Sequence, residues 1–387
     1  MRKPTVKLSL VLAAMSAALA GCVATDGANP TALAAADGHY SKADFDRVPK
    51  IDVHVHANMY DPSFLELVRD NGFQVLSINV DYPDFPSLAT QADVAHRYYA
   101  EDPAHFQFAT TFSMDGFETP GWSARTNAHI DRELDAGAIG VKVWKNIGMV
   151  ERNSAGELIM LDDPGFDVVM AHIEQRGVPL IAHQAEPYNC WLPLDQMTTE
   201  NDRQYFKAHP EYHMYLHPEM PSYQQLMDAR DRFVGAHPGL TVMGAHMGSI
   251  EWSVDELAAF LDTYPNAVVD MAARMSNLQY QSNHDREKVR DFLIRYQDRV
   301  LYATDLTLSP LSDEAKAQNP PIDPGADFAA SAEGVWRSDW TYLATPESQY
   351  VETLKADTPG LALPRSVIRK IYYENALRVF PAFVQAS

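Results

Sequence analysis

Cysteine is nearly absent: Cys22 and Cys190 are the only two in 387 residues, so no disulfide framework holds this chain and its stability must come from a buried core. Positive charge is scarce as well. Against 52 aspartates and glutamates stand 31 lysines and arginines, and the formal net charge of −21 repels phosphate backbones and excludes nucleic acid as an expected partner. Long hydrophobic runs are lacking too, since the apolar stretch 8–20 is too short to span a bilayer. What remains is ordinary globular composition, 46% hydrophobic and 21% charged. A chain of this length fits one α/β barrel without requiring a second domain.

The apolar stretch follows Arg2, Lys3 and Lys7, the pattern of a secretory signal. It ends in Leu19-Ala20-Gly21-Cys22, which resembles the lipobox of bacterial lipoproteins. That resemblance implies a signal peptide over 1–21, acylation of Cys22, and a lipid-anchored protein of the cell envelope, facing the periplasm or on the cell surface, that meets the membrane only through its anchor. A plain secretory signal is the alternative. Residues 22–47, rich in Ala, Asp, Gly and Ser, read as a flexible tether, and the folded domain is expected over 48–387.

From residue 50 onward, β-branched runs alternate with segments of helical periodicity. Strands are predicted over 50–57, 73–81, 106–114, 138–145, 179–185, 240–249, 267–273 and 300–306. Helices are predicted over 63–70, 87–99, 124–136, 164–176, 223–236, 253–263, 285–296 and 364–379. This alternation predicts a (β/α)8 TIM barrel, with an open doubly wound sheet as the alternative. Two connections, 186–222 and 307–346, exceed the usual length of a βα loop and read as lids over the C-terminal face, or as surface insertions.

Strand one reads Ile51-Asp52-Val53-His54-Val55-His56, and strict alternation puts Asp52, His54 and His56 on one face. Two imidazoles leaving one strand end make either a chelate or a pair of core histidines. His183 and His246 occupy comparable strand ends, and Asp305 closes the apolar strand Val300-Leu301-Tyr302-Ala303-Thr304. A carboxylate there needs a partner, and a divalent metal held by such residues would supply one. In strand four, Lys142 alternates against Val141 and Val143 and so points into the barrel.

The order His54-x-His56, His183, His246, Asp305 resembles the amidohydrolase superfamily. Gly244-Ala245-His246-Met247-Gly248 and Tyr373-Glu374-Asn375-Ala376-Leu377-Arg378 are similar to its amidohydrolase-related branch, which includes aminocarboxymuconate semialdehyde decarboxylase and pyrone dicarboxylate lactonase. The resemblance implies that His54, His56, His183 and Asp305 ligate a divalent metal, expected to be zinc, as one ion or two. His246 would be a base, a substrate contact or a ligand to a second ion, and Asp305 would also take a proton from water. Lys142 is a carboxylated bridge between two ions, or an ion-pair partner, or an anion contact. Lys145, Arg274, Glu186 and Trp191 are expected to meet substrate, with a salt bridge to Asp270 as the alternative for Arg274. The reaction expected is hydrolysis of a small amide, lactone or ester by a metal-bound hydroxide. Non-oxidative decarboxylation and non-catalytic metal or solute binding are the alternatives. A small molecule is the expected partner, with a homo-oligomer compatible with the chain.

Overall fold

Strands covered on both faces pair in parallel, and the helices between them form the outer layer. The computed structural model describes residues 37–311 and 323–383. Its strands are β1 (Lys50–Ala57), β2 (Phe73–Ile78), β3 (Phe106–Thr111), β4 (Val141–Val143), β5 (Leu180–Ala182), β6 (Val242–Gly244) and β7 (Ala267–Asp270), followed by an eighth in two pieces, β8 (Val300–Leu301) and β9 (Leu306–Leu308). Each pairs in parallel with its neighbour in sequence, and β9 returns to β1 through Val55↔Leu306 and His56↔Thr307, which closes the sheet. The expected (β/α)8 barrel is therefore the fold. No helix among the described residues is long and apolar enough to cross a membrane.

Strict alternation in β1 does not hold. The strand bulges between Asp52 and Val55, whose partners on β2 are Val75 and Ser77. The extra residue reverses the phase of the side chains. Ile51 and Val53 pack in the inner cluster with Leu76, Met243 and Leu301, whereas Val55 and Ala57 join the layer beneath the helices. Asp52 is consequently parted from the histidines, and accepts from Thr304 Oγ1 at 2.6 Å and Trp336 Nε1 at 3.1 Å.

The connection 307–346 is not a loop throughout. Its 324–344 portion is a 21-residue helix, Pro324–Ala344, with Pro324 in the first turn and the Asp323 side chain accepting from Gly325 N and Ala326 N. A proline there loses no hydrogen bond and is well placed to start a helix. Trp336 stacks on Phe73 at 4.3 Å and Trp340 packs on Phe45 at 5.9 Å, which seats the helix near the N-terminal ends of the strands. Packing also begins earlier than Val48. Phe45 is buried, and Trp340 Nε1 donates to Ser41 O at 3.0 Å, so the last part of the expected tether is fixed to the barrel. The predicted signal peptide and Cys22 lie outside the described residues.

The C-terminal helical segment plugs the barrel floor. Ala376, Val379 and Phe380 join the inner cluster, and Asn375 Nδ2 donates to Gln297 O and Val300 O at 2.7 and 2.8 Å. Beside the floor, Asp339 is buried and receives the Tyr302 hydroxyl at 2.9 Å. Burial raises its carboxyl from the ordinary 3.8 to about 7, with the Tyr302 bond opposing and Asp52 adding to the rise. A folded-state value above the unfolded one favours the fold at low pH, and that contribution is lost as pH climbs from about 4 through about 7. Asp339→Asn keeps a carbonyl for Tyr302 and removes the titration. The expected result is a thermal midpoint that falls less steeply between acid and mildly alkaline pH than in the parent, a difference of up to roughly 4 kcal/mol. Parallel pH profiles for the two proteins would show that Asp339 does not titrate in this range.

Candidate metal centre

Parallel pairing brings the C-terminal ends of the strands to one mouth, where His54, His56 and Asp305 meet. His54 and His56 come from the end of β1. Asp305 lies between β8 and β9, its N–H donating to His54 O at 2.8 Å. Asp305 Oδ1 stands 3.2 Å from His56 Nε2 and 3.3 Å from His54 Nε2. One ligand atom from each of the three residues lies within 4.8 Å of the others.

The remaining ring nitrogens decide what this cluster is. His54 Nδ1 donates to Asp270 Oδ2 at 2.9 Å and His56 Nδ1 to Ile78 O at 2.7 Å. Neither acceptor carries a proton of its own, so each ring's N–H is committed there and, in the neutral ring, Nε2 presents a lone pair. Two lone pairs and a carboxylate oxygen then face one another without a proton between them. A cation converts that repulsion into coordination, and the donor set of two nitrogens and one oxygen fits a divalent metal ion.

Burial, reinforced by Lys142, lowers the proton affinity of His54. Burial also takes His246 down to about 3 and His183 well below the usual imidazole range. His246 Nδ1 donates to Ala272 O at 2.8 Å, leaving Nε2 as an acceptor, and its ring lies 5.0 Å from that of His54. Burial works against the charge of Asp305, but the neighbouring His246, His56 and His54 outweigh it and hold the carboxyl well below the carboxylate range.

His183, the fourth expected ligand, stands farther off. Its ring packs on His246 at 4.2 Å and its Nε2 meets Ala185 O at 3.1 Å, and it is not part of the three-residue cluster. Lys142 is 1% exposed, with Nζ 3.5 Å from His54 Nε2. Burial lowers it to about 8, against the attraction of Asp270 and Asp305. It lies beside the cluster, as alternation in β4 predicts.

Asp270 is the residue that sequence reasoning undervalued, naming it only as a salt-bridge partner for Arg274. It is fully buried at the end of β7; besides holding His54, its Oδ1 accepts from His246 N at 2.7 Å and Ala272 N at 3.1 Å. Its signal was the one that identified Asp305, an acid closing an apolar strand. Five non-glycine residues at this mouth take left-handed backbone: His246, Met247, Ser249, Ala273 and Asp305, with φ of 56°, 59°, 59°, 53° and 71°. Each such conformation costs about 1–2 kcal/mol, and the Asp270 bonds to the neighbouring amides help to hold it.

A cavity of about 710 Å³ lies at the same mouth, lined in part by Tyr82, Phe85, Trp144, Lys145 and Glu186. Phe85 packs on the His56 ring at 5.2 Å and so joins cavity and cluster. The segment 186–222 supplies further wall, including Tyr205 and Tyr212. It is ordered by a small core of Cys190, Met197, Phe206 and Met214. Lys145 and Glu186 are ion-paired with each other in the wall. Trp191 belongs instead to the lid's base, packed on Tyr223 at 5.5 Å with Nε1 donating to Pro221 O. Arg274 forms no ion pair among the described residues; its Nη1 donates to Ala273 O and its buried Nε lacks a hydrogen-bond partner among them. His209, His213 and His217 do not share a helix, because short 3₁₀ turns at Pro210–Tyr212 and Met214–Leu216 interrupt them; only His217 of the three reaches the cavity wall.

If Asp270 fixes His54 for metal binding, Asp270→Asn weakens divalent-ion affinity about 10- to 100-fold, as removal of a carboxylate behind a ligating histidine typically does. Competition against a chromophoric chelator measures this. Unchanged affinity would mean that His54 holds its orientation without the carboxylate.

Residues 51–382 match the family described as Amidohydrolase. No curated protein matches the chain significantly. Among solved structures, an uncharacterized TIM-barrel protein from Bordetella bronchiseptica is 14% identical, over 87% of this chain and 99% of that one, with a TM-score of 0.49. The 2,6-dihydroxybenzoate decarboxylase from Rhizobium is 16% identical over 86% and 99%, with a TM-score of 0.48. The 5-carboxyvanillate decarboxylase from Sphingomonas paucimobilis is 15% identical over 86% and 99%, with a TM-score of 0.43. The family match runs from β1 to the helix that plugs the barrel floor, and the chain belongs to the amidohydrolase family.

Proposed function

We propose that this protein is a metal-dependent hydrolase acting on a carbonyl-like carbon of a small amide, lactone or ester. The observation that carries this reading is the convergence of His54 Nε2, His56 Nε2 and Asp305 Oδ1, with the other nitrogen of each ring committed to a fixed acceptor. These three residues would hold the ion, with Lys142 beside them. When bound, a divalent ion, zinc in this reading, supplies Lewis-acid polarisation of a substrate oxygen and activation of water. Ala272 O orients His246 and leaves its Nε2 open as an acceptor, the position from which it would pass a proton from water to a leaving group. The Asp305 carboxylate is 30% exposed and is the second group able to take a proton from water.

Decarboxylation of a small carboxylic acid is the second reading, favoured by the unpartnered Nε of Arg274. Hydrolysis is preferred because Lys145, the lysine in the cavity wall, is paired with Glu186 and so is not free to hold a substrate carboxylate there. The same reading takes the lipobox-like segment as support for a lipid anchor in the cell envelope, and Cys22→Ala is expected to move the protein from the membrane to the soluble fraction.

A panel of small esters, lactones, amides and aromatic acids in weakly buffered solution separates the reactions. A carboxylate product without carbon dioxide is expected, with acid release from esters and lactones and an amine product from amides, and Asp305→Asn should lower the turnover rate by about 10²- to 10⁴-fold. Carbon dioxide evolution without acid release would move the assignment to decarboxylation.

A further inference from the structure

We infer that the cavity at the barrel mouth selects organic cations with an apolar body and turns away anions. On the barrel side, Tyr82 packs on Trp144 at 4.7 Å and on Phe85 at 5.1 Å, forming a continuous aromatic wall. From the lid come Tyr205 and Tyr212, their rings within 8° of parallel at 6.4 Å. The negative face of an aromatic ring attracts a desolvated cation, most strongly where several rings surround it. Met149, Met214 and Met220 complete a soft apolar lining suited to a hydrocarbon body.

The charges in the wall point the same way. Asp81, Glu151, Glu211 and Glu219 all line the cavity, and its lysine, Lys145, is neutralised by Glu186. Glu211 and Glu219 face histidines, His209 at 3.6 Å and His217 at 3.2 Å, with no lysine or arginine paired to them among the described residues. Burial, then Glu186, Tyr212, Asp84 and Glu211, push the Tyr205 phenol up to about 12, consistent with a negative local field. A carboxylate entering this space would lose water without gaining a free counter-charge, whereas an ammonium group would meet rings and acids together.

The selectivity bears on catalysis only through the proposed hydrolase reading, but binding itself requires no metal. Isothermal titration of the full chain with benzyltrimethylammonium, benzyl alcohol and phenylacetate tests it. The cation is expected to bind about 10-fold more tightly than the alcohol, a difference of about 1.4 kcal/mol, and phenylacetate to bind least. Glu211→Gln combined with Glu219→Gln should weaken the cation several-fold and leave the alcohol unchanged. Tyr205→Leu, which keeps apolar area but removes a ring, should do the same. The two glutamates are largely exposed, so thermal unfolding of that variant is expected to match the parent, and thermal unfolding of Tyr205→Leu, whose ring is 44% exposed, is measured alongside its affinity. Phenylacetate binding as tightly as the cation, or cation affinity unmoved by both variants, would overturn the inference. Chelator-treated protein is expected to retain the cation affinity, and loss of that affinity on chelation would overturn it too; the hydrolase reading fails separately, on ion content and turnover.

Discussion

A single buried carboxylate organises the mouth of this barrel. Asp270 accepts from His54 Nδ1, His246 N and Ala272 N, and so fixes one ring's proton and two amides beside strained backbone. An ionised group with no solvent exposure persists only when its charge is answered by donors and counter-charges. Lys142 answers part of it. With Asp305 ionised as well, two carboxylates face one ammonium, and the site is left short of positive charge. A divalent cation would make good that deficit and leave excess positive charge in the site. If Lys142 is carboxylated, the deficit grows and two ions are needed to meet it.

The barrel supplies this arrangement through details of strand phase. Without the bulge in β1, strict alternation would keep Asp52 on the same face as His54 and His56. With it, Asp52 bonds Trp336 and Thr304 on the outer side, while the histidines look inward toward Asp270, Lys142 and Asp305. The two-piece final strand does the complementary work: between β8 and β9 the chain turns through a left-handed residue at Asp305, which sets its carboxylate against both imidazoles.

Much of this was legible from residue types alone. The span 50–57 is β1, the eight alternations close as a barrel, and His54, His56 and Asp305 converge. Later strands are shorter than predicted, because apolar character continues past the paired segment; β6, for example, stops at Gly244 before the left-handed His246. The bulge is invisible in sequence, since an extra residue leaves the alternation of residue types intact. The helix Pro324–Ala344 lay inside the span 307–346 that was read as one long connection, although a proline such as Pro324 is well placed in a first turn. Trp191 was read as a substrate contact from composition, but lid aromatics pack equally well on one another, as it does on Tyr223.

Elemental analysis of the chain purified without chelators, alongside His54→Ala and Lys142→Ala, tests the central claim most directly. A divalent ion at about one per chain, lost in His54→Ala and retained in Lys142→Ala, is the expected result for a mononuclear site. About two ions, falling when Lys142 is removed, would keep the claim and assign the lysine as a bridge. A parent protein that holds no ion, or one whose ion content ignores the loss of His54, would contradict it.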